Sequence, residues 1–354
     1  MTRTIACLDG FDPAYLDATD TPAWDDLAAE GVAGTCEGLV PSLTNVNNVG
    51  IVTGAFPDGN GITGNTFYDR ERGERVYMED PSFLRCETRL ARAAGEGADV
   101  VALVCKEKLR RMVGQGDGVE AASAEEPPAD LVDAVGEAPD IYSGEASAWL
   151  FDAAVHVAET RAPDVLYVST TDVVPHKHAP GSDAAEEWVR ALDSGLGRLR
   201  EHGHVVATAD HGMNEKTRRV DLAAVLDDAG VESEVVRLIR DRHTYHHRNL
   251  GGAAYVYADD ADGARAAMAD LPGVDEVLGA EAAADRFRLP LDRIGDLLVL
   301  GDPATAFGPI DGPETVDSVS LRSHGAHHER RVPYVASTGA EMEYNNDAFD
   351  AALD

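Results

Sequence analysis

Three short apolar runs in this chain stop on an aspartate: "IACLDG" at Asp9, "LYVSTTD" at Asp172 and "VVATADHG" at Asp210, with His211 directly behind it. Each run has the length and β-branched content of a buried strand and is too short for a helix. Between them lie alanine-rich stretches with a helical apolar period, "TPAWDDLAAEG", "SAWLFDAAVHVAETR" and "SDAAEEWVRALDSGLGRLREHG". Strands that alternate with such helices build an α/β fold around a mostly parallel sheet. In that architecture the carboxyl ends of the strands share one edge, and ligands bind there. Residues far apart in the chain can therefore meet.

The remaining elements follow the same logic. "RTIACL", "ADVVALV" and "HVVATA" read as strands, and "NVNNVGIVTG" predicts a helix that opens just after Thr44. Residues 115–142, rich in Gly, Ala, Pro and acid, predict a surface loop or a weak helix. Residues 214–320 read as a small inserted α+β unit, a cap, between the segments 1–213 and 321–354 that form the core. At 354 residues the chain can bury a full core.

A fourth segment, "DSVSLRSHG", ends in His324, and His176 lies four residues beyond Asp172. The converging set expected at the sheet edge is Asp9, Asp172, His176, Asp210, His211 and His324. An isolated Asp after a strand is ordinarily a helix N-cap, and an isolated buried His is ordinarily a hydrogen-bonded core residue. Six such groups on one edge ask for more. Carboxylates packed together repel one another and raise their pKa values, and divalent cations remove that problem. Imidazole with carboxylate suits Zn²⁺ or Mn²⁺ and leaves open coordination positions, so the expectation is a site for two divalent ions.

Thr44 places a hydroxyl just before a predicted helix, whose free N–H groups favour phosphate. Beside a pair of metal ions such a hydroxyl is a credible nucleophile. Asn65, in "GITGNTFYD", offers an amide donor for a phosphoryl oxygen, or serves simply as a turn residue after Gly64.

Net charge is −34, from 64 acidic and 30 basic residues. That excludes a nucleic acid polymer or an anionic membrane as partner, because phosphate would be repelled. The acid is spread along the chain and arginine supplies nearly all the positive charge, as on a halophile-type surface. The four lysines fall only at 106, 108, 177 and 216, each in or beside a motif. A compact ammonium serves a small carboxylate where a wide guanidinium would not fit. "RHTYHHRN", with His243, His246 and His247, offers another metal cluster or, as the simpler reading, a polar cap loop near the site, and His327 and His328 read as exposed. Cys7, Cys36, Cys86 and Cys105 show no CxxC spacing, and "MTRTIACLDG" enters a strand without an apolar leader. The expectation is a cytoplasmic chain with reduced, mostly buried cysteines.

These motifs resemble the alkaline phosphatase superfamily, in its nucleotide pyrophosphatase/phosphodiesterase branch, and within it the phosphonoacetate hydrolase family. The matching stretches are "LDGFDPAYLDA", "VPSLTNVNNVGIVTGAFPDGNGITGNTFYD", "CKEKLRRMVG", "YVSTTDVVPHKHAPG", "TADHGMNEK" and "LRSHGAHHE". They run from residue 8 to 329. The DHGM and SHG motifs mark the superfamily, while "KEK" and "TTDVVPHKHAPG" are more specific. The resemblance implies an alkaline phosphatase-like sheet and two divalent ions, zinc or manganese. One ion would be held by Asp172, His176 and His324, the other by Asp9, Thr44, Asp210 and His211. It implies Thr44 as nucleophile, and Asn65 with the Thr44 backbone N–H on the phosphoryl oxygens. Lys106 and Lys108 would meet a substrate carboxylate. Val46 stands where the family pattern has Pro. The implied reaction cleaves the C–P bond of phosphonoacetate, a small anionic phosphonate, to acetate and phosphate through a phosphothreonine. A phosphate-ester substrate, as for a phosphodiesterase or nucleotide pyrophosphatase, is the alternative within the superfamily. A non-catalytic metal-dependent binding protein is the alternative outside it, and a homodimer is left open.

Overall fold

The computed structural model describes residues 1–242 and 246–353. Its central sheet has seven strands: β1 (Thr2–Cys7), β2 (Val32–Glu37), β3 (Val100–Val104), β4 (Val119–Ser123), β5 (Val165–Ser169), β6 (Gly203–Thr208) and β7 (Arg331–Ala336). Their order is β2-β7-β6-β1-β5-β3-β4. The pairs β6–β1, β1–β5, β5–β3 and β3–β4 are parallel, and only β7 runs against its neighbours. β3 and β5 are buried at every residue, as strands covered by helices on both faces must be. Helices Glu145–Thr160 and Asp183–Arg200 provide part of that cover and pack on each other. The second is strongly amphipathic, burying Trp188, Val189, Leu192, Leu196 and Leu199 on one stripe.

The fold class read from the sequence holds, with two corrections. Residues 115–142 contain the edge strand β4 and a helix, Ala129–Val135. "VEAAS" lacks the β-branched run that marks a strand; its alanines are hidden by neighbouring elements, and an edge strand pairs on one side only. The second correction concerns His324. Its strand, Val316–Ser323, lies outside the central sheet, antiparallel to Asn214–Val220 in a three-stranded sheet completed by Thr305–Phe307. His324 still reaches the central edge because Asn214–Val220 starts just beyond His211 and the return strand ends opposite it, Ser323 facing Asn214.

A four-stranded antiparallel sheet comprises, in spatial order, Ser233–Arg237, Ala253–Ala258, Leu297–Gly301 and Val274–Gly279. Alternation in its strands splits two cores. Tyr255, Tyr257, Leu298 and Leu300 pack with Leu43, Val46 and Val49 around helix Thr44–Thr53. Ala254, Val256, Leu297 and Val299 pack with Leu222, Leu226 and Met268. The four cysteines are free, and three are buried. Among the described residues no helix is long and apolar enough to cross a membrane.

Candidate active site

The parallel strands deliver their residues to one edge as expected. Asp9 follows β1, Lys106 follows β3, Asp172 follows β5, and Asp210 with His211 follows β6. β2 leads through residues 38–43 to Thr44, the first residue of helix Thr44–Thr53. Leu43, at the N-cap position, makes no side-chain cap, so the first N–H groups of that helix are left for a ligand. Gly10 makes the close approach possible: it has φ +73°, and a Cβ there would meet Pro175 at 3.1 Å and Asp172 at 3.2 Å.

All six expected acids and imidazoles are buried together with Thr44 beside them. Thr44 Oγ1 stands 3.3 Å from His211 Nε2 and 3.5 Å from Asp9 Oδ1. His211 Nε2 lies 3.5 Å from both Asp9 Oδ1 and Asp210 Oδ2. Asp172 starts a short helix, Val173–Lys177, whose turn places His176 Nε2 3.0 Å from Asp172 Oδ2. His324 Nε2 is 3.7 Å from the same oxygen, and its ring stacks on that of His211 with centroids 3.5 Å apart.

The far side of each imidazole fixes what the near side can do. The Nδ1 of His176, His211 and His324 bonds a backbone carbonyl, of Arg322 at 2.7 Å, Gly212 at 3.1 Å and Ser42 at 2.7 Å. A carbonyl can only accept, so each Nδ1 carries a proton, and in a neutral ring the Nε2 turns a lone pair inward. Those lone pairs face carboxylate oxygens, which are acceptors too. Asp9 Oδ2 is buried with no hydrogen-bond partner, the nearest cation being Lys106 Nζ at 3.6 Å. Acceptors aimed at acceptors, with an orphaned carboxylate oxygen, fit metal ions. The groups Asp9–Asp210–His211, Asp172–His211–His324 and Asp172–His176–His246 each bring three ligand atoms within 4.8 Å of one another.

Electrostatics agree. Burial, then Asp172 and Asp210, push the Asp9 carboxyl well above the usual range. Burial would raise Asp172 as well, but the ammonium of Lys106, joined by His246 and His176 when their rings are protonated, outweighs it and holds that carboxyl low. Burial, then His211 and His176, hold the His324 imidazole well below its usual value, which keeps it neutral and able to ligate. Lys106 stays charged although burial opposes it, because Asp172 and Asp9 stabilise the ammonium more.

Lys106 and Lys108 do not face solvent; their side chains are 12 % and 14 % exposed. Lys106 Nζ is 3.2 Å from Asp172 Oδ1, and Lys108 Nζ pairs with Asp241. Both line a small cleft with Thr44, Asn65, His247 and His324. Asn65 Nδ2 donates to the Ile239 carbonyl at 3.0 Å. Glu107, between the lysines, faces the other way. Arg110 first, against burial, with Ser123 and Arg111 adding to it, holds its carboxyl down to about 2.

Several participants were not visible in the sequence. Asn45 lines the cleft with its buried amide nitrogen unpartnered. Asn48 donates to Asp210 Oδ2 at 3.3 Å and is itself held by Tyr167 and Ser169 hydroxyls. His246 is closer to the chemistry than a polar loop residue need be, its Nε2 3.0 Å from Asp172 Oδ1. His247 is buried in the cleft wall, and His243 lies outside the described residues. The run "NVNN" was the available signal, since three asparagines in one buried helical turn need partners.

The family described as type I phosphodiesterase / nucleotide pyrophosphatase matches residues 6–328. The structure of phosphonoacetate hydrolase from Sinorhizobium meliloti 1021 in complex with phosphonoacetate superposes with a TM-score of 0.90 at 33% identity, covering 100% of this chain and 95% of that one. Human ectonucleotide pyrophosphatase / phosphodiesterase 5 superposes with a TM-score of 0.72 at 16% identity, covering 99% and 93%, a likeness of fold. Among curated proteins, ectonucleotide pyrophosphatase/phosphodiesterase family member 3 of Rattus norvegicus is 25% identical over 229 residues, 59% of this chain and 24% of its own length. Venom phosphodiesterase of Naja atra is 26% identical over 227 residues, 58% of this chain and 25% of its own. The chain spans about a quarter of the length of these curated relatives.

Proposed function

The chain belongs to the type I phosphodiesterase / nucleotide pyrophosphatase family, and from that premise we propose that it is a dinuclear-metal hydrolase that cleaves the C–P bond of phosphonoacetate. It is an enzyme of this superfamily, akin over its full length to a phosphonoacetate hydrolase. The observation that carries the finer reading is the pair of buried lysines, Lys106 and Lys108, in one cleft with Thr44 and Asn65. Among the described residues that cleft has no Phe, Tyr or Trp in its lining on which a nucleotide base could stack.

Asp9, Thr44, Asp210 and His211 would hold one ion, and Asp172, His176 and His324 the other, with zinc or manganese suiting the donors. Bound there, the ions would neutralise phosphonate oxygens and lower the pKa of the Thr44 hydroxyl. Thr44 Oγ1 attacks phosphorus in line, the new O–P bond forming as the C–P bond breaks. The electron pair leaves on the methylene carbon and spreads into the carboxylate. Asn65 and the Thr44 N–H steady the phosphoryl oxygens. Lys106 and Lys108 receive the substrate carboxylate, so their charge acts where the leaving group's charge accumulates. The carbanion takes up, through water, the proton that the Thr44 hydroxyl gives up and becomes acetate, and water then hydrolyses the phosphothreonine to phosphate. Residues 214–320 serve as the cap, bringing Ile239, Asp241 and His247 to the cleft.

The test is phosphate release from a panel of phosphonates, phosphodiesters and nucleotides, in high salt with zinc or manganese. Phosphonoacetate is expected to be the preferred substrate. Cleavage of nucleotides with none of phosphonoacetate would reject the substrate and leave the phosphoryl-transfer site standing.

A further inference from the structure

A second group of metal-ligating side chains stands away from the cleft, where the four-stranded sheet meets the core. His327 and His328 open the turn His327–Glu329, just beyond His324. Their rings are 4.0 Å apart, and both aim Nε2 at one oxygen of Asp275, at 3.3 Å and 3.0 Å. Glu276 Oε1 stands 3.8 Å from His327 Nε2. His328 is exposed, as the sequence suggests, whereas His327 is half-buried, its side chain 16 % accessible.

Asp275 is delivered there by an irregularity. In the pairing of Val274–Gly279 with Leu297–Gly301 the register slips between Val274 and Glu276, so Asp275 is the extra residue of a bulge. Bulges on edge strands re-aim a side chain, and Val274–Gly279 is an edge strand. Here the bulge turns a carboxylate out of the ladder and onto two imidazoles of another segment.

We propose that Asp275, His327 and His328 form a further, peripheral site for a borderline transition-metal ion, Zn²⁺ or Ni²⁺, that clasps the four-stranded sheet to the loop carrying His324. One ligand atom from each residue lies within 4.8 Å of the others. Donors bonded to tetrahedral zinc at about 2.0–2.1 Å sit roughly 3.3 Å apart, close to the 3.0 and 3.3 Å found here. Two imidazoles with a carboxylate exclude Mg²⁺ and Ca²⁺, which take oxygen sets. An ion pair alone explains the cluster less well. Two imidazolium rings at this distance repel, and burial, then the neighbouring His328, holds the His327 imidazole below its usual value. The rest of the ligation sphere is open to water, so the site binds reversibly. Its place in the fold gives it a consequence. Glu329, which ends the same turn, accepts the Gly212 N–H through its carbonyl at 2.6 Å, so the clasp braces the segments that carry both His211 and His324.

The experiment is equilibrium dialysis against Zn²⁺, with unfolding midpoints measured on titrating Ni²⁺, using the full chain without a polyhistidine tag. The parent should take up one equivalent more than His328→Ala. Asp275→Asn, which keeps the shape of the bulge, should weaken that equivalent at least tenfold. The midpoint of the parent should rise with added Ni²⁺ beyond saturation of the tighter sites, and that of either variant should not. Equal stoichiometry and equal midpoint shifts in the parent and both variants would overturn the assignment.

Discussion

Two buried lysines of this molecule meet carboxylates in opposite ways. Lys216 and Glu329 are fully buried and form a closed pair 2.8 Å apart. Lys216 Nζ also donates to the Pro303 carbonyl at 3.0 Å, while Glu329 accepts from Asn214 Nδ2 at 2.8 Å and from the Ala326 N–H at 2.9 Å. One charge answers one charge and the hydrogen bonds are made. Around Lys106 the balance fails: Asp9 and Asp172 share its ammonium, Asp210 lies beside them, and Asp9 Oδ2 has no hydrogen-bond partner. The closed pair joins the segment after His211 to the segment after His324 and is a structural device. The open cluster carries an excess of acid, which a cation from outside or a proton on Asp9 would relieve. Composition and motif position treat the two lysines alike; the satisfaction of their partners separates them.

The comparison predicts that damage at the open cluster costs rate, whereas damage at the closed pair costs stability. The largest expected effect is at Thr44. Thr44→Ala should lose at least about a thousandfold in turnover, roughly 4 kcal/mol of barrier, while still binding metal through Asp9, Asp210 and His211. Turnover within tenfold of the parent would make water, not threonine, the attacking group. Next is Lys216→Met, which leaves Glu329 buried without its cation. Denaturant unfolding should show a loss of about 3–5 kcal/mol. A loss below 1 kcal/mol would mean that the pair is not the brace described.

Lys106 and Lys108 then sharpen the open side. Replacing both with alanine removes the charge that waits for the leaving group, and phosphonoacetate cleavage should fall by a hundredfold or more, about 2.7 kcal/mol. A phosphodiester with a good leaving group needs no such charge and should stay within tenfold. Parallel loss of both activities in steady-state assays would place the lysines in the scaffold instead.

Much of this was legible from the chain. Strands that stop on aspartate, a hydroxyl at a helix start and an edge shared by parallel strands together gave the central sheet and the set Asp9, Thr44, Asp172, His176, Asp210, His211 and His324. What stayed hidden has physical causes. β4 is built from small residues at a sheet edge, where neither periodicity nor branching speaks. The route of His324 depends on a strand pair with Asn214–Val220 more than a hundred residues away. Asp241 and His246 lie between the DHGM and SHG motifs, and nothing local tells which polar residues of that stretch will meet Lys108 or Asp172. Lys216 shows the limit of motif position as a guide: it lies beside "DHGMNE" and acts through Glu329.

The smallest effect is the one whose sign is least expected. Removing one partner of a buried ion pair destabilises, and Glu329→Gln should do so by unbalancing Lys216. Asp9→Asn should do the reverse in protein stripped of metal. Burial and the charges of Asp172 and Asp210 hold the Asp9 carboxyl well above its usual range. A raised folded-state pKa means that the native state binds a proton the unfolded chain has released. The stability of metal-free protein is therefore intact below the unfolded value of about 3.9 and falls as pH rises toward the folded value. Asn carries no charge to repel, so the variant escapes that fall. In chelator at neutral pH its midpoint should exceed the parent's, and the two curves should converge near pH 4. With zinc present the order should invert, because the parent gains binding energy that the variant cannot. Unfolding curves with and without chelator, across pH, read all of this at once. A variant less stable than the parent under every condition would mean that the open cluster is balanced after all, and the contrast with Lys216 and Glu329 would disappear.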